Sequence, residues 1–311
     1  MKRFKNILVG VDLSTAERLV GEDISLTTRS ALARGLELAT HNSARVTLAT
    51  SLDISERARY LIDHTDDENG GGFMGQVHEI LTKLEQPFRD AGLEVDHQVS
   101  IGRGWLELIY CVLRNKHDLV IIGARGASAV ERFFLGSTGI RLMRNCPCPV
   151  WVVHRHDEYK IDSVLIANDL SPISNQAMEL GCSMADAHDA ELHVLSVLEQ
   201  PGEDASLATV VATKSDHDNF REIAEQEIQA QLNRIEPKQS PHLHILEGVA
   251  DSVIVEQLDK LRVDLLVMGT ISRTGIQGLL TGNTAERLLP RIACSVLAIK
   301  PDDFVCPIQV A

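Results

Sequence analysis

Short apolar runs alternate with longer amphipathic stretches along the whole chain. Residues 7–11 and 164–167 are continuous apolar runs, which is typical of strands buried on both faces of a sheet. Between such runs, apolar residues recur at spacings of three and four, as in the set Ile173, Ala177, Leu180 and Met184. That spacing places them on one face of a helix. The pattern therefore predicts strands that alternate with amphipathic helices.

This pattern of strands and helices occurs twice along the chain. Asp118-Leu-Val-Ile-Ile-Gly123 corresponds to Asp264-Leu-Leu-Val-Met-Gly269 at an offset of 264 − 118 = 146 residues, and the same offset pairs Gly136 with Gly282. A repeat of this length means that one domain is present in two copies. Because helices return the chain between strands, we predict an α/β fold of two tandem doubly wound domains, each with a five-stranded, mostly parallel sheet.

The polar stretch 154–160 predicts the boundary, so domain one is expected to span residues 1–156 and domain two residues 157–311. The last strand of each copy, residues 150–153 or 296–299, is apolar. An unpaired apolar edge is a liability. We therefore expect the two domains to pair through these strands as an internal pseudo-dimer, and a homodimer of whole chains is a further option.

One segment breaks the register of the repeat. Asp12 after the first strand matches Asp169 at 169 − 12 = 157, so copy one carries 157 − 146 = 11 additional residues, 15–25, directly after that strand. Long surface loops are tolerated at small entropic cost, which makes a neutral decoration one interpretation. Its position at the end of the first strand favours a second interpretation, a partial lid that weakens ligand binding in copy one.

Composition narrows the class of partner. The chain has 311 residues, 44% of them hydrophobic, and a net charge of 30 − 44 = −14. An acidic chain of this kind argues against nucleic acid or an anionic membrane as a main partner. The apolar run 7–11 is too short for a signal peptide, and the six cysteines lack an extracellular disulfide pattern. We expect a cytoplasmic protein.

The residues that follow two strands suggest a phosphate site. In doubly wound sheets, ligands bind beyond the carboxyl ends of the strands, where the strand order reverses. An aspartate ends strand one in each copy, and strand four of copy one runs into Gly123-Ala-Arg-Gly126, then nine residues, then Gly136-Ser137-Thr138. Glycines allow close backbone approach, and the start of the following helix offers N–H groups and hydroxyls to an anion.

This spacing, G-x-x-G-x9-G-[S/T] after strand four with an aspartate ending strand one, resembles the ATP-binding type of universal stress protein. The segments from Gly269 to Gly275 and from Gly282 to Glu286 are similar to the tandem E-type branch of that family, as is Cys146-Pro-Cys-Pro-Val150. The resemblance covers nearly the whole chain, twice. It implies an adenine nucleotide, ATP with Mg²⁺ or Mn²⁺, as the cofactor.

The resemblance also implies roles for individual residues. Asp12 and Asp169 would lie beside the ribose or a phosphate-bound divalent cation, and Val197 or its repeat partner Ser51 would contact adenine. The phosphates and ribose of the two sites would be held by residues that follow strand four in each copy, namely Gly123, Gly126, Gly136, Ser137 and Thr138 in one and Gly269, Gly282, Asn283 and Thr284 in the other. Copy two departs from the motif because Ser272 stands where the second glycine belongs.

The sequence favours a binding or sensing protein over an enzyme. The P-loop motif is missing, and each strand end carries a single carboxylate rather than a pair for acid and base catalysis. Two alternatives stay open: a scaffold that uses its clefts for another ligand or a protein partner, and a weak ATPase or autophosphorylating enzyme. His242 and His244 are interpreted as the polar face of a strand, and no metal site is predicted from histidine or cysteine.

Overall fold

The computed structural model describes residues 3–13, 24–54, 72–124, 136–154, 160–198, 214–270 and 283–309. The chain forms two compact units: unit one is Met1–Glu158 together with Phe304–Ala311, and unit two is Tyr159–Asp303. The predicted boundary after residue 156 falls outside the described residues. The C-terminal segment groups with unit one, where the Cys306 thiol donates to the carbonyl of Asn145 (3.2 Å).

Unit one alternates strands and helices from its first element to its last. Its elements in chain order are β1 Asn6–Gly10, α1 Leu26–Asn42, β2 Arg45–Leu52, α2 Phe73–Asp90, β3 Val95–Ile101, α3 Gly104–Asn115, β4 Leu119–Gly123, α4 Gly136–Asn145 and β5 Val150–Val153. The sheet order is β3-β2-β1-β4-β5, and every neighbouring pair in it is parallel.

Unit two repeats the arrangement. Its elements are β6 Ser163–Ala167, α5 Pro172–His188, β7 Glu191–Leu198, α6 Lys214–Ile235, β8 His242–Glu247, α7 Ala250–Lys260, β9 Leu265–Gly269, α8 Asn283–Leu288 with a 3-10 turn at Leu289–Arg291, and β10 Ser295–Ile299. Its strand order is β8-β7-β6-β9-β10, again parallel throughout. The predicted fold class, two tandem doubly wound α/β domains, is confirmed.

The two central strands of each sheet are buried on both faces, which explains their continuous apolar sequences. In β4, residues 119–122 are all buried, and the same holds for residues 265–268 in β9. The helix α5 turns Ile173, Ala177 and Leu180 inward, as its spacing predicts. Burial also accounts for Cys111 and Cys182, whose thiol pKa it raises to about 11 and about 12, so both are protonated core residues.

The aspartate that opens the repeated strand-four motif has a structural task. Asp118 accepts hydrogen bonds from the backbone N–H groups of Lys5 (2.6 Å) and Asn6, just where β1 begins. In unit two, Asp264 accepts from the backbone of Ser163 in the same way (3.0 Å). These bonds satisfy N–H groups at the edge of the sheet and fix the relative position of two central strands.

The helix α6 of unit two begins at Lys214, within a polar part of the sequence. Across the described residues, no helix is both long enough and apolar enough to cross a membrane.

Candidate functional site

The strand order creates a crevice at the carboxyl edge of each sheet. In unit one the chain runs outward from β1 to β2 and β3, then returns to place β4 on the other side of β1. The helices that follow β1 and β4 therefore lie on opposite faces, and ligands of doubly wound sheets bind beyond the strand ends between such helices. The reversal occurs between β6 and β9 in unit two. The predicted residues Asp12, Gly123, Asp169 and Gly269 all lie at this edge.

The first turn of α4 has the geometry of an anion site. Gly136 opens the helix with φ of +66°, a conformation that favours glycine. Ser137 is exposed and Thr138 is half-buried, so neither hydroxyl is sealed in the core. The first N–H groups of a helix have no partner within the helix, and the helix dipole adds positive potential there. Gly126, which the sequence motif adds to this site, lies outside the described residues.

The glycine that ends strand four is required by packing. A Cβ on Gly123 would lie 2.4 Å from the carbonyl oxygen of Thr27 in the first turn of α1. A Cβ on Gly269 would lie 2.8 Å from Cγ2 of Ile173, at the matching place, since 27 + 146 = 173. Both glycines let a helix begin directly against the end of a strand. The sequence interpretation gave them a phosphate role only, and this second role explains them without a ligand.

Asp169 stabilises the turn that leads into α5, whose N-cap residue is Ser171. Its Oδ1 accepts hydrogen bonds from the backbone N–H of Ser171 (3.0 Å) and from the hydroxyls of Ser171 and Ser174 (2.6 Å for Ser174). Leu170 between them adopts φ of +60°, which turns the chain into α5. The carboxylate thus sits at the positive end of the helix dipole, where it is stabilised.

The N-cap of the corresponding helix in unit one is Ser25, whose Oγ accepts from the backbone N–H of Thr28 (3.2 Å). Ser25 corresponds to Ser171, the N-cap of α5, because 171 − 146 = 25. The eleven-residue insertion therefore separates Asp12 in sequence from the N-cap serine, whereas Asp169 lies two residues before its own and contacts it. Asp12 is exposed, two residues after the end of β1. The sequence treated the two aspartates as equivalent, but their local surroundings differ.

The predicted adenine-contacting pair lies at the ends of β2 and β7. Ser51 and Val197 are half-buried and occupy the same position, since 51 + 146 = 197. The Ser51 hydroxyl donates to the carbonyl of Gly102 (2.9 Å), a residue with φ of +154° after β3. Val197 offers an apolar surface instead. Of the remaining predicted residues of site two, Asn283 and Thr284 begin α8. Gly282 lies outside the described residues, as does Ser272 of the sequence motif.

The sequence did not predict the contacts that hold in place the helix after the fourth strand of each unit. In unit two, Oδ2 of buried Asp251 on α7 accepts a hydrogen bond from Arg291 (2.9 Å). Its Oδ1 lies 3.3 Å from Nε of Arg287 on α8, an ion pair without hydrogen-bond geometry. In unit one, the guanidinium of Arg141 on α4 lies 5.2 Å from the ring centroid of Trp105 on α3. The same offset relates the pairs, because 105 + 146 = 251 and 141 + 146 = 287.

The model of the Universal stress protein family matches the chain twice, over residues 3–154 and 160–300. The chain belongs to the universal stress protein family. Curated relatives extend the likeness to its tandem organisation. Universal stress protein E of Photorhabdus laumondii is 26% identical, over 100% of this chain and 99% of its own length. Universal stress protein E of Escherichia coli K12 is 24% identical, over 77% of this chain and 78% of its own length. The resemblance to tandem E-type members is thus confirmed.

Solved structures support the same fold over almost the whole chain. The protein PA1789 from Pseudomonas aeruginosa, described as functionally unknown, aligns with a TM-score of 0.70 at 20% identity and covers 97% of this chain and 94% of its own. A universal stress protein from Archaeoglobus fulgidus aligns with a TM-score of 0.65 at 18% identity, over 95% and 98% of the two chains. At such identities the likeness concerns the fold alone.

Proposed function

We propose that this universal stress protein is a cytoplasmic sensor or regulator that binds ATP or a related adenine nucleotide at the carboxyl edge of its sheets. The observation that carries the proposal is the first turn of α4. Gly136 has positive φ there, two hydroxyl side chains follow it, and the turn stands at the reversal of strand order. Unpaired N–H groups, a helix dipole and hydroxyl donors together suit the phosphates of a nucleotide.

The aspartate at the end of strand one suits the remaining parts of such a ligand. A carboxylate accepts hydrogen bonds from ribose hydroxyls, and it also binds a divalent cation that neutralises phosphate charge. Asp12 is exposed at the crevice and fits either role. Asp169 fits less well because Oδ1 already accepts bonds from Ser171 and Ser174.

Calorimetric titration of the full chain with ATP and Mg²⁺ tests the proposal. Removing hydroxyls that bond a charged phosphate costs about 1.5–3 kcal/mol per bond, so we expect the double variant Ser137→Ala, Thr138→Val to bind at least roughly tenfold more weakly. Thr40→Ala is the matched control, because this hydroxyl is exposed near the end of α1 and donates only to its own helix (2.7 Å to the carbonyl of Leu36). Equal ATP affinities of wild type and double variant at a measured unit-one site would refute the phosphate role.

A second candidate is a scaffold that binds something other than a nucleotide. Gly123, Gly269 and Asp169 favour it, because the packing of the glycines and the turn that Asp169 stabilises exist without any ligand. In that case the wild type gives no heat with ATP, ADP or AMP. We also propose binding without turnover, since a single carboxylate ends each first strand. Steady release of phosphate from ATP by the wild type, lost in Asp12→Asn, would favour the enzyme alternative instead.

A further inference from the structure

Three histidines gather on neighbouring strands of unit two, and we call His193, His242 and His244 the histidine cluster. His242 and His244 are two residues apart on β8, so their side chains leave the same face of the sheet. His193 on β7 is the direct parallel partner of His242. Side chains in such positions on adjacent strands are close enough to share one ligand. The cluster lies near the starts of both strands, at the opposite edge from the candidate nucleotide site.

Two imidazole nitrogens of the cluster are spaced like metal ligands. His193 Nδ1 lies 3.2 Å from His244 Nε2. Two nitrogens bound to one tetrahedral zinc ion at about 2.0–2.1 Å are separated by roughly 3.3–3.4 Å. The third ring is stacked on the first, with a centroid separation of 5.2 Å between His193 and His242. All three rings therefore lie within one small region of the sheet surface.

The other nitrogen of His193 faces a carboxylate. Its Nε2 lies 3.7 Å from Oε2 of Glu191, on the same strand. This contact is longer than a hydrogen bond, and it places negative charge beside the ring nitrogen that is not directed toward His244. His193 is 5% exposed, so its ring is held in place by the surrounding side chains.

Charged side chains near the cluster act in opposite directions on a bound cation. Lys260 on α7 is close enough to His244 to interact with it electrostatically, and its charge opposes a cation. Glu191, beside His193, favours one.

We propose that His193, His242 and His244 bind a divalent transition metal ion of the zinc class. Among the described residues, no three candidate ligands already surround a common point. Binding therefore requires the ring of His242 to turn from its stacked position toward the two spaced nitrogens. His242 is exposed, so this rotation displaces only solvent, and water completes a tetrahedral shell.

Unit one provides an internal reference for this proposal. The positions that correspond to the cluster are Thr47, Asp96 and Gln98, since 193 − 146 = 47, 242 − 146 = 96 and 244 − 146 = 98. Gln98 accepts a hydrogen bond from Cys111 (3.0 Å) on the same face of the sheet. The fold therefore accommodates residues other than histidine at all three positions, and these residues define substitutions compatible with it.

The experiment is a titration of the untagged, chelator-treated full chain with Zn²⁺ by calorimetry and with Co²⁺ by its visible absorption. We expect one Zn²⁺ at this cluster and a tetrahedral Co²⁺ spectrum. His193→Thr and His244→Gln each weaken binding by about tenfold or more. His242→Gln does so at an exposed position, with the least risk to folding; glutamine is used there because a carboxylate would itself bind zinc. Far-ultraviolet circular dichroism without metal checks the fold of each variant.

The matched control is His78→Gln in unit one. His78 Nδ1 lies 2.9 Å from His97 Nε2, which makes this pair the competing site among the described residues. His97 Nδ1 is also bonded to Glu85 (2.7 Å). We expect His78→Gln to leave the Zn²⁺ affinity unchanged. Three results overturn the proposal: no binding by the wild type at millimolar metal, full affinity in folded His242→Gln and His244→Gln, or loss of the site in His78→Gln instead.

Discussion

His117 tests how much an unpaired polar ring costs this fold. It lies between α3 and β4 and is 4% exposed, and neither ring nitrogen makes a hydrogen bond of normal geometry within the described chain. Burial lowers its pKa, and the nearby backbone of Cys111 opposes this only in part. Unit two has buried Val263 at the same position, since 117 + 146 = 263. We therefore expect His117→Val to fold and to be more stable than the wild type.

The magnitude follows from two opposing terms. A buried polar atom without a partner costs about 1–3 kcal/mol, and the imidazole has two. The smaller valine leaves some volume empty, which offsets part of the gain. We expect the free energy of unfolding of unit one to rise by about 1–2 kcal/mol at neutral pH.

Acid increases the difference between variant and wild type. The pKa of His117 is lower in the folded protein than the ordinary value of 6.5, so the unfolded chain binds the proton first. The wild type therefore keeps its neutral-pH stability above that value, and it loses stability relative to the variant as the pH falls below it. Between that value and about pH 5 the loss of stability is at most about 2 kcal/mol, the amount for a ring that stays neutral in the folded protein. Solvent near the ring makes the loss smaller.

Urea unfolding followed by tryptophan fluorescence measures this change in the right unit. The two tryptophans, Trp105 and Trp151, both lie in unit one. The control is His41→Gln at an exposed position of α1, where we expect a change of only a few tenths of a kcal/mol. The reasoning is refuted by a His117→Val variant whose advantage over the wild type is zero at neutral pH, or which does not grow as the pH is lowered.

Three further perturbations address the candidate sites. Gly123→Ala is expected to cost about 1–3 kcal/mol because its Cβ meets backbone, and Gly269→Ala less because it meets only a side chain; thermal unfolding compares the two. Asp251→Asn is expected to cost about 1–3 kcal/mol in unit two, because it weakens the pairing with two partly exposed arginines. Arg141→Met, which removes the contact with Trp105 in unit one, is expected to cost about 0.5–1 kcal/mol. Equal costs of the two variants in urea unfolding would contradict this difference between the units. Deletion of residues 15–25 brings Ser14 to the position before α1 that Ser171 holds before α5. If the insertion is a lid, calorimetry shows that ATP binds site one of the deletion variant more tightly. Unchanged or weaker binding by the folded deletion variant would contradict the lid hypothesis.

The repeat made the fold predictable in detail. Apolar runs located the strands because both faces of each central strand are buried, and one offset then related α1 to α5 from the first residue to the last, 172 − 26 = 146 and 188 − 42 = 146. The polar residues at the start of α6 do not define its boundary, because polarity indicates solvent exposure but does not distinguish a loop from an exposed helix. Local patterns therefore determine elements well where burial is involved and poorly where it is not.

The candidate site was predictable only as a location. The position of Asp12 and Gly136 at one sheet edge follows from strand order, which the alternation of elements already implies. The role of Asp169 in the turn before α5 depends on hydrogen-bond geometry, and the packing role of Gly123 depends on where α1 begins, so neither can be predicted from spacing. The sequence interpretation of His242 and His244 as a polar face did not include His193, because the register that brings His193 beside β8 is set by tertiary structure.

Hydrogen exchange with mass spectrometry, on the full chain with and without ATP and Mg²⁺, tests the central claim most directly. The first N–H groups of α4 have no partner inside the helix, so they exchange readily until a phosphate accepts hydrogen bonds from them. We predict that nucleotide slows exchange in the peptide that carries Gly136, Ser137 and Thr138, with a smaller effect around Asp12. Exchange that is unchanged there at saturating ATP, or slowed only in segments away from the carboxyl edge of the sheet, would contradict nucleotide binding at this site.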